Sequence, residues 1–63
     1  MTELERLLEN IDLAEQAKRE FVRENPNGTG DKSERARLYR DVEMARRALR
    51  AYRLANPHLF EGR

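Results

Sequence analysis

The residues best suited to chemistry in this chain are its arginines. On a helix spanning residues 32–55, Arg35, Arg46 and Arg53 project in nearly one direction. Arg50 lies about 60° further round, with Arg47 and Arg40 beyond it. That makes an arc of six guanidinium groups along about 27 Å of helix, at a rise of about 1.5 Å per residue. Such an arc can track the phosphates of RNA or DNA. Two features oppose that reading. The sequence pI of about 8.2 lies below the roughly 9 expected of a nucleic-acid-binding domain. No aromatic residue is interleaved for base stacking, since Tyr39 only borders the arc.

The remaining motifs are weaker. Gly28-Thr29-Gly30-Asp31-Lys32-Ser33 glances at a phosphate loop. That motif needs Gly directly before Lys-Ser and a strand ahead of the loop, whereas here Asp31 intervenes and a helix precedes. The stretch reads as a turn followed by a capped helix. His58 is the single His, and there is no Cys. No His-x-x-x-His or Glu-x-x-His spacing exists, so neither a zinc site nor any other cofactor is expected. The many carboxylates lack the concave, desolvated pocket that acid–base catalysis requires. The chain is therefore not expected to be an enzyme.

Composition narrows the class further. The 63 residues carry 13 Lys+Arg against 12 Asp+Glu, with 40% charged and 38% hydrophobic residues. One small domain covering 1–63 is the ceiling at this length. No apolar run approaches the roughly 20 residues of a membrane span. The polar, acidic start Met1-Thr2-Glu3-Leu4-Glu5-Arg6 does not read as a secretory signal, so a cytoplasmic location is expected. The net charge of +1 hides a balance of −3 over residues 1–30 and +4 over residues 31–63. Either the two halves pair with each other, or the basic half faces an anionic partner.

The elements that must position these groups are helices. Asn25-Pro26-Asn27-Gly28-Thr29-Gly30 breaks a sequence otherwise rich in Ala, Leu, Glu and Arg. Thr2 with Glu5, and Asp31 with Glu34, fit capping boxes. The Asn-Pro pairs at 25–26 and 56–57 stop helices, because a residue before Pro is pushed out of the α region. The spacing predicts helices over about 3–24 and 32–55, a loop at 25–31 and a short tail at 56–63. Leu4, Leu7, Ile11, Ala14, Lys18 and Phe21 repeat at alternating steps of three and four, as do Leu38, Val42, Ala45, Leu49 and Tyr52. That is the coiled-coil period. The fold class is thus all-α, an antiparallel two-helix hairpin of coiled-coil type. Folding back pairs Leu4 with Tyr52, Leu7 with Leu49, Ile11 with Ala45 and Ala14 with Val42, with Phe21 near Leu38.

A second weakly polar face accompanies the seam. Ala48, Ala51 and Ala55, with Met44 beyond, flank it on helix 2, and Ala17 falls on the matching side of helix 1. Leu8 and Val22 widen the other flank of helix 1. One helix–helix interface is too little core for comfortable independent stability. A second copy would supply the missing layer, giving a homodimeric four-helix bundle. An Ala-rich solvent face is the plainer alternative. In the tail, Leu59 and Phe60 either fold back over the bundle end or form a docking motif for another protein.

Shifting the sequence by 31 aligns residues 2–26 with 33–57, with eight of 25 positions identical, Asn25-Pro26 and Asn56-Pro57 among them. This is either a duplication or the likeness of two Arg-rich heptad helices. No family motif accompanies these residues. In architecture alone the hairpin resembles small dimerising bacterial hairpins, such as a plasmid copy-number regulator that binds paired RNA loops. It is similar in the same way to the helical-hairpin protein of the large ribosomal subunit, which implies a more basic chain.

These observations lead to a non-enzymatic, regulatory protein–protein interaction module. Its expected partner-binding residues are Met44, Ala48, Ala51, Ala55, Leu59 and Phe60. The alternative is a dimeric RNA- or DNA-binding regulator using Arg35, Arg46, Arg50 and Arg53.

Overall fold

The computed structural model describes residues 1–60; residues 61–63 of the expected tail lie outside the described residues. Two long helices form an antiparallel hairpin: α1, Glu3–Glu24, and α2, Lys32–Ala55. A single 3-10 turn follows each of them, at Pro26–Gly28 and Pro57–Leu59. There is no strand among the described residues. The hairpin measures 45 × 21 × 17 Å.

Local chemistry sets the helix ends. Thr2 closes a full capping box with Glu5: the Glu5 amide donates to Thr2 Oγ1 at 3.1 Å, and the Thr2 amide donates to Glu5 Oε1 at 2.9 Å. Asp31 caps α2 by accepting from the Ser33 amide at 2.8 Å. Here only the Asp31 half of a box forms, because Glu34 turns to Arg37 instead. Each helix then stops at an asparagine. Asn25 Nδ2 donates to the Phe21 carbonyl at 3.0 Å, and Asn56 Nδ2 donates to the Tyr52 carbonyl at 3.0 Å. The two asparagines share a backbone geometry, φ/ψ of −131/69 and −134/57. The 31-residue sequence repeat is therefore matched by a repeated stop: helix, Asn-Pro, one 3-10 turn.

The core is a single seam. Leu7, Leu38 and Val42 are buried, and Val42 is the most enclosed at 4% exposure. Leu4, Ile11, Ala14, Lys18, Phe21, Ala45, Leu49 and Tyr52 are partly buried. Every residue of the two heptad rows thus faces the partner helix, Lys18 included. Its ammonium reaches out of the seam and lies 4.8 Å from the centroid of the Tyr39 ring. A lysine stem along apolar surface with its head at the edge costs little desolvation.

Candidate interaction surfaces

The hairpin has two broad sides, and they differ in charge. A shallow groove on one side is lined by Leu13, Ala14, Ala17, Glu20, Phe21 and Glu24 of α1 with Glu34, Arg37, Leu38 and Asp41 of α2. Its one cation, Arg37, is held by Glu34 at 2.7 Å and Asp41 at 3.7 Å. The hydrogen bond that Arg37 donates to Glu34, with the charges of Glu34 and Asp41, raises the pKa of its guanidinium above the ordinary value. At 100° per residue, Ala48, Ala55 and Met44 point within about 20° of Arg37, and Ala51 within about 40°. The Ala/Met face therefore continues this groove toward the end of the hairpin away from the loop. All four residues are exposed, Met44 at 54%, as is Leu13 at 57%.

The opposite side is basic. Lys18, Arg19, Val22, Arg23 and Tyr39 line a depression there. Glu15, partly buried, forms an ion pair with Arg46 across the two helices and a second with Arg19 at 3.8 Å. The cross-helix pair joins an acid of the acidic half to a base of the basic half, so part of the charge asymmetry is satisfied within the hairpin.

The four arginines singled out in the sequence have different fates. Arg35 is partly buried, with its guanidinium 5.1 Å from the centroid of the Phe21 ring. The same group donates to the carbonyls of Thr29 and, at 3.4 Å, Asn25. It ties the loop to both helices and is turned inward. Arg46 is engaged by Glu15. Arg50 and Arg53 stand together at the far end of α2, where with Leu54, Pro57 and Phe60 they line an open apolar groove.

The two tail residues separate. Phe60 folds back, edge-on to Tyr52 at a ring separation of 6.4 Å and 5.2 Å from the Arg53 guanidinium. Leu59 remains exposed at 47%. Leu54, beside them, is 83% exposed and was not among the residues singled out in the sequence. The inward role of Arg35 and the opposite charge of the two sides were likewise missed. Plotting both helices on one wheel would have found the second, since same-side residues of antiparallel helices share the sign of their angle from the seam.

Among the described residues, no group of three His, Asp or Glu side chains is placed to hold a metal ion. No helix there is long and apolar enough to cross a membrane. Compared with known proteins, the chain matches no family model, no curated protein and no solved structure.

Proposed function

We propose that the chain is a non-enzymatic, cytoplasmic interaction module that works as a homodimer, a four-helix bundle whose outer surface engages another protein. The observation that carries this reading is the smallness of the single-hairpin core. Among the described residues only Leu7, Leu38 and Val42 are buried, while Leu8, Leu13, Val22, Met44, Leu54 and Leu59 are exposed. One helix pair at this length leaves little surplus over chain entropy. A broad side of 45 by 21 Å has an outline of roughly 900 Å², close to the ~800 Å² that each partner gives a standard interface. Ala48, Ala51 and Ala55 on that side permit close helix approach. In the dimer, Leu54 and Leu59 at the outer end, with Leu8 and Val22 on the basic side, are the apolar contacts left for a further protein.

The test is sedimentation equilibrium of wild type and of a Met44→Glu, Ala51→Glu double variant. The reading expects a wild-type dimer that the two buried carboxylates dissociate. A wild-type monomer, or an unaffected double variant, would overturn it.

One observation favours a second reading, RNA or DNA binding. Arg50 and Arg53 have no carboxylate partner among the described residues, and Phe60 supplies an aromatic ring beside them. Guanidinium groups next to an aromatic face suit a single strand, with phosphate contact and base stacking together. Arg35 and Arg46 contribute less to such a surface, because each is already engaged within the hairpin.

A further inference from the structure

We infer that Asn27-Gly28 is a site of spontaneous covalent modification, where the chain converts its own asparagine into aspartate and isoaspartate and thereby loosens the loop. The inference stands on the loop alone and is independent of the homodimer reading. Asparagine is thermally labile because the backbone nitrogen of the next residue attacks its side-chain carbonyl carbon. That attack has three requirements. The next residue must carry an N–H, the N–H must be free of a hydrogen bond, and the backbone must be able to swing the nitrogen onto the side chain.

Of the four asparagines, only Asn27 meets all three. Asn25 and Asn56 precede Pro26 and Pro57, whose nitrogens have no hydrogen to lose. Their side-chain amides are also held, on the carbonyls of Phe21 and Tyr52, each at 3.0 Å. Asn10 lies inside α1, where the amide of Ile11 belongs to the helix ladder and the backbone angles are fixed. Asn27 is exposed in the loop. Among the described residues its side chain makes no hydrogen bond; the side-chain bonds of the loop belong to Asn25, Thr29, Asp31 and Arg35. The Gly28 amide donates no hydrogen bond among the described residues either, whereas its counterpart in the second turn, the Leu59 amide, donates to the Asn56 carbonyl at 3.0 Å. Asn27 has a left-handed backbone, φ 61° and ψ 34°, which no residue of the second turn shares. Ring closure needs rotation about this ψ. Gly28 has no Cβ to hinder it, and even an added Cβ would meet nothing within 4 Å.

The chemistry balances without any redox change. Solvent base removes the proton of the Gly28 amide, and the nitrogen attacks Cγ of Asn27. The new N–Cγ bond closes a succinimide ring. The Cγ–Nδ2 bond breaks, and Nδ2 leaves as ammonia with a proton from water. Water then adds to one of the two ring carbonyls. Opening at Cγ gives aspartate and restores the main chain. Opening at the backbone carbonyl gives isoaspartate, with the main chain rerouted through Cβ and Cγ. The net exchange is one water taken up and one ammonia released.

The product matters because of Arg35. Its guanidinium donates to the carbonyls of Asn25 and Thr29, one on each side of the rerouted bond. Isoaspartate inserts one extra carbon into the main chain between them, so the two carbonyls no longer fit a single guanidinium.

The test ages the full chain in heavy-oxygen water, at mildly alkaline pH and body temperature, for several weeks. Wild type is compared with Asn27→Gly, which keeps a residue tolerant of positive φ. Peptide mapping by mass spectrometry should find both aspartate and isoaspartate at residue 27 of wild type, each carrying one heavy oxygen. The peptides holding Asn10, Asn25 and Asn56 should be unchanged. No product at residue 27, earlier conversion of another asparagine, or aspartate without isoaspartate would overturn the inference. Aged wild type should also melt at a lower temperature than fresh protein, while aged and fresh Asn27→Gly should melt alike. Unchanged melting of wild type after isoaspartate has formed would overturn the loosening of the loop.

Discussion

The guanidinium of Arg35 lies over the ring of Phe21 and at the same time binds the carbonyls of Asn25 and Thr29. One side chain from the first turns of α2 thereby fixes the end of α1, the loop and the entry to α2. Among the described residues the other hydrogen bonds of the loop span four residues or fewer, so Arg35 is its longest tie along the chain. Arg35→Ala should cost about 2 kcal/mol, combining a charge-assisted hydrogen bond with a cation–π contact. Arg35→Lys should recover less than half of that, because an ammonium cannot span two carbonyls and lie flat on a ring. Thermal unfolding followed by circular dichroism checks both. Equal stability of Arg35→Ala and wild type would remove this residue from the account of the loop.

The two loop glycines should respond differently to alanine. Both have positive φ, 76° at Gly28 and 91° at Gly30. A Cβ on Gly28 meets open space, whereas one on Gly30 would lie 2.6 Å from the side chain of Asn25. Gly28→Ala should cost about 1 kcal/mol, the left-handed penalty alone. Gly30→Ala should cost more, about 2–3 kcal/mol, because it also pushes Asn25 off the Phe21 carbonyl. The comparison is made on urea midpoints, and the reverse order would contradict the loop geometry.

In the seam, Leu38→Ala should be among the most damaging changes in the chain, at about 3 kcal/mol. Only three of the described residues are buried, so such a loss is expected to appear as a fall in helix content at 25 °C as well as in the melting temperature. Ala48→Ser, on an exposed position, should leave helicity unchanged.

If the basic end of the hairpin binds RNA or DNA, the double variant Arg50→Glu, Arg53→Glu should abolish the binding. Affinity of the wild type should fall steeply between about 50 and 200 mM salt. Fluorescence anisotropy with a labelled oligonucleotide reads both. Arg35→Glu is a poor probe here, since it would remove the loop anchor and confuse instability with lost phosphate contact.

Much of the fold was legible from local chemistry. Thr2 with Glu5 marks the start of α1, and Asn25 before Pro26 marks its end. The heptad spacing identified the seam down to Lys18, whose aliphatic stem makes it a tolerable member of an apolar row. The surface was less legible. Arg35 was grouped with the outward arginines because a wheel gives direction from one helix axis only. Its actual partners, Phe21 and the Asn25 and Thr29 carbonyls, come from α1 and the loop, and only the folded chain brings them within reach. Phe60 and Leu59 are neighbours in sequence, yet the 3-10 turn after Pro57 sends one back to Tyr52 and leaves the other outside. A one-residue step in a tight turn decides between them, and apolar character alone does not encode that step.

Self-association of the hairpin is read from absolute mass by light scattering after size exclusion. Wild-type protein would be run over a hundredfold range of concentration, roughly 1–100 μM, where interfaces of standard size are populated. A homodimer gives a mass of about twice 7.5 kDa at the upper end of the range, with a monomer emerging only on dilution. A mass of 7.5 kDa at every concentration would contradict it. The groove side would then be vacant in the isolated chain and in need of a different protein to cover it.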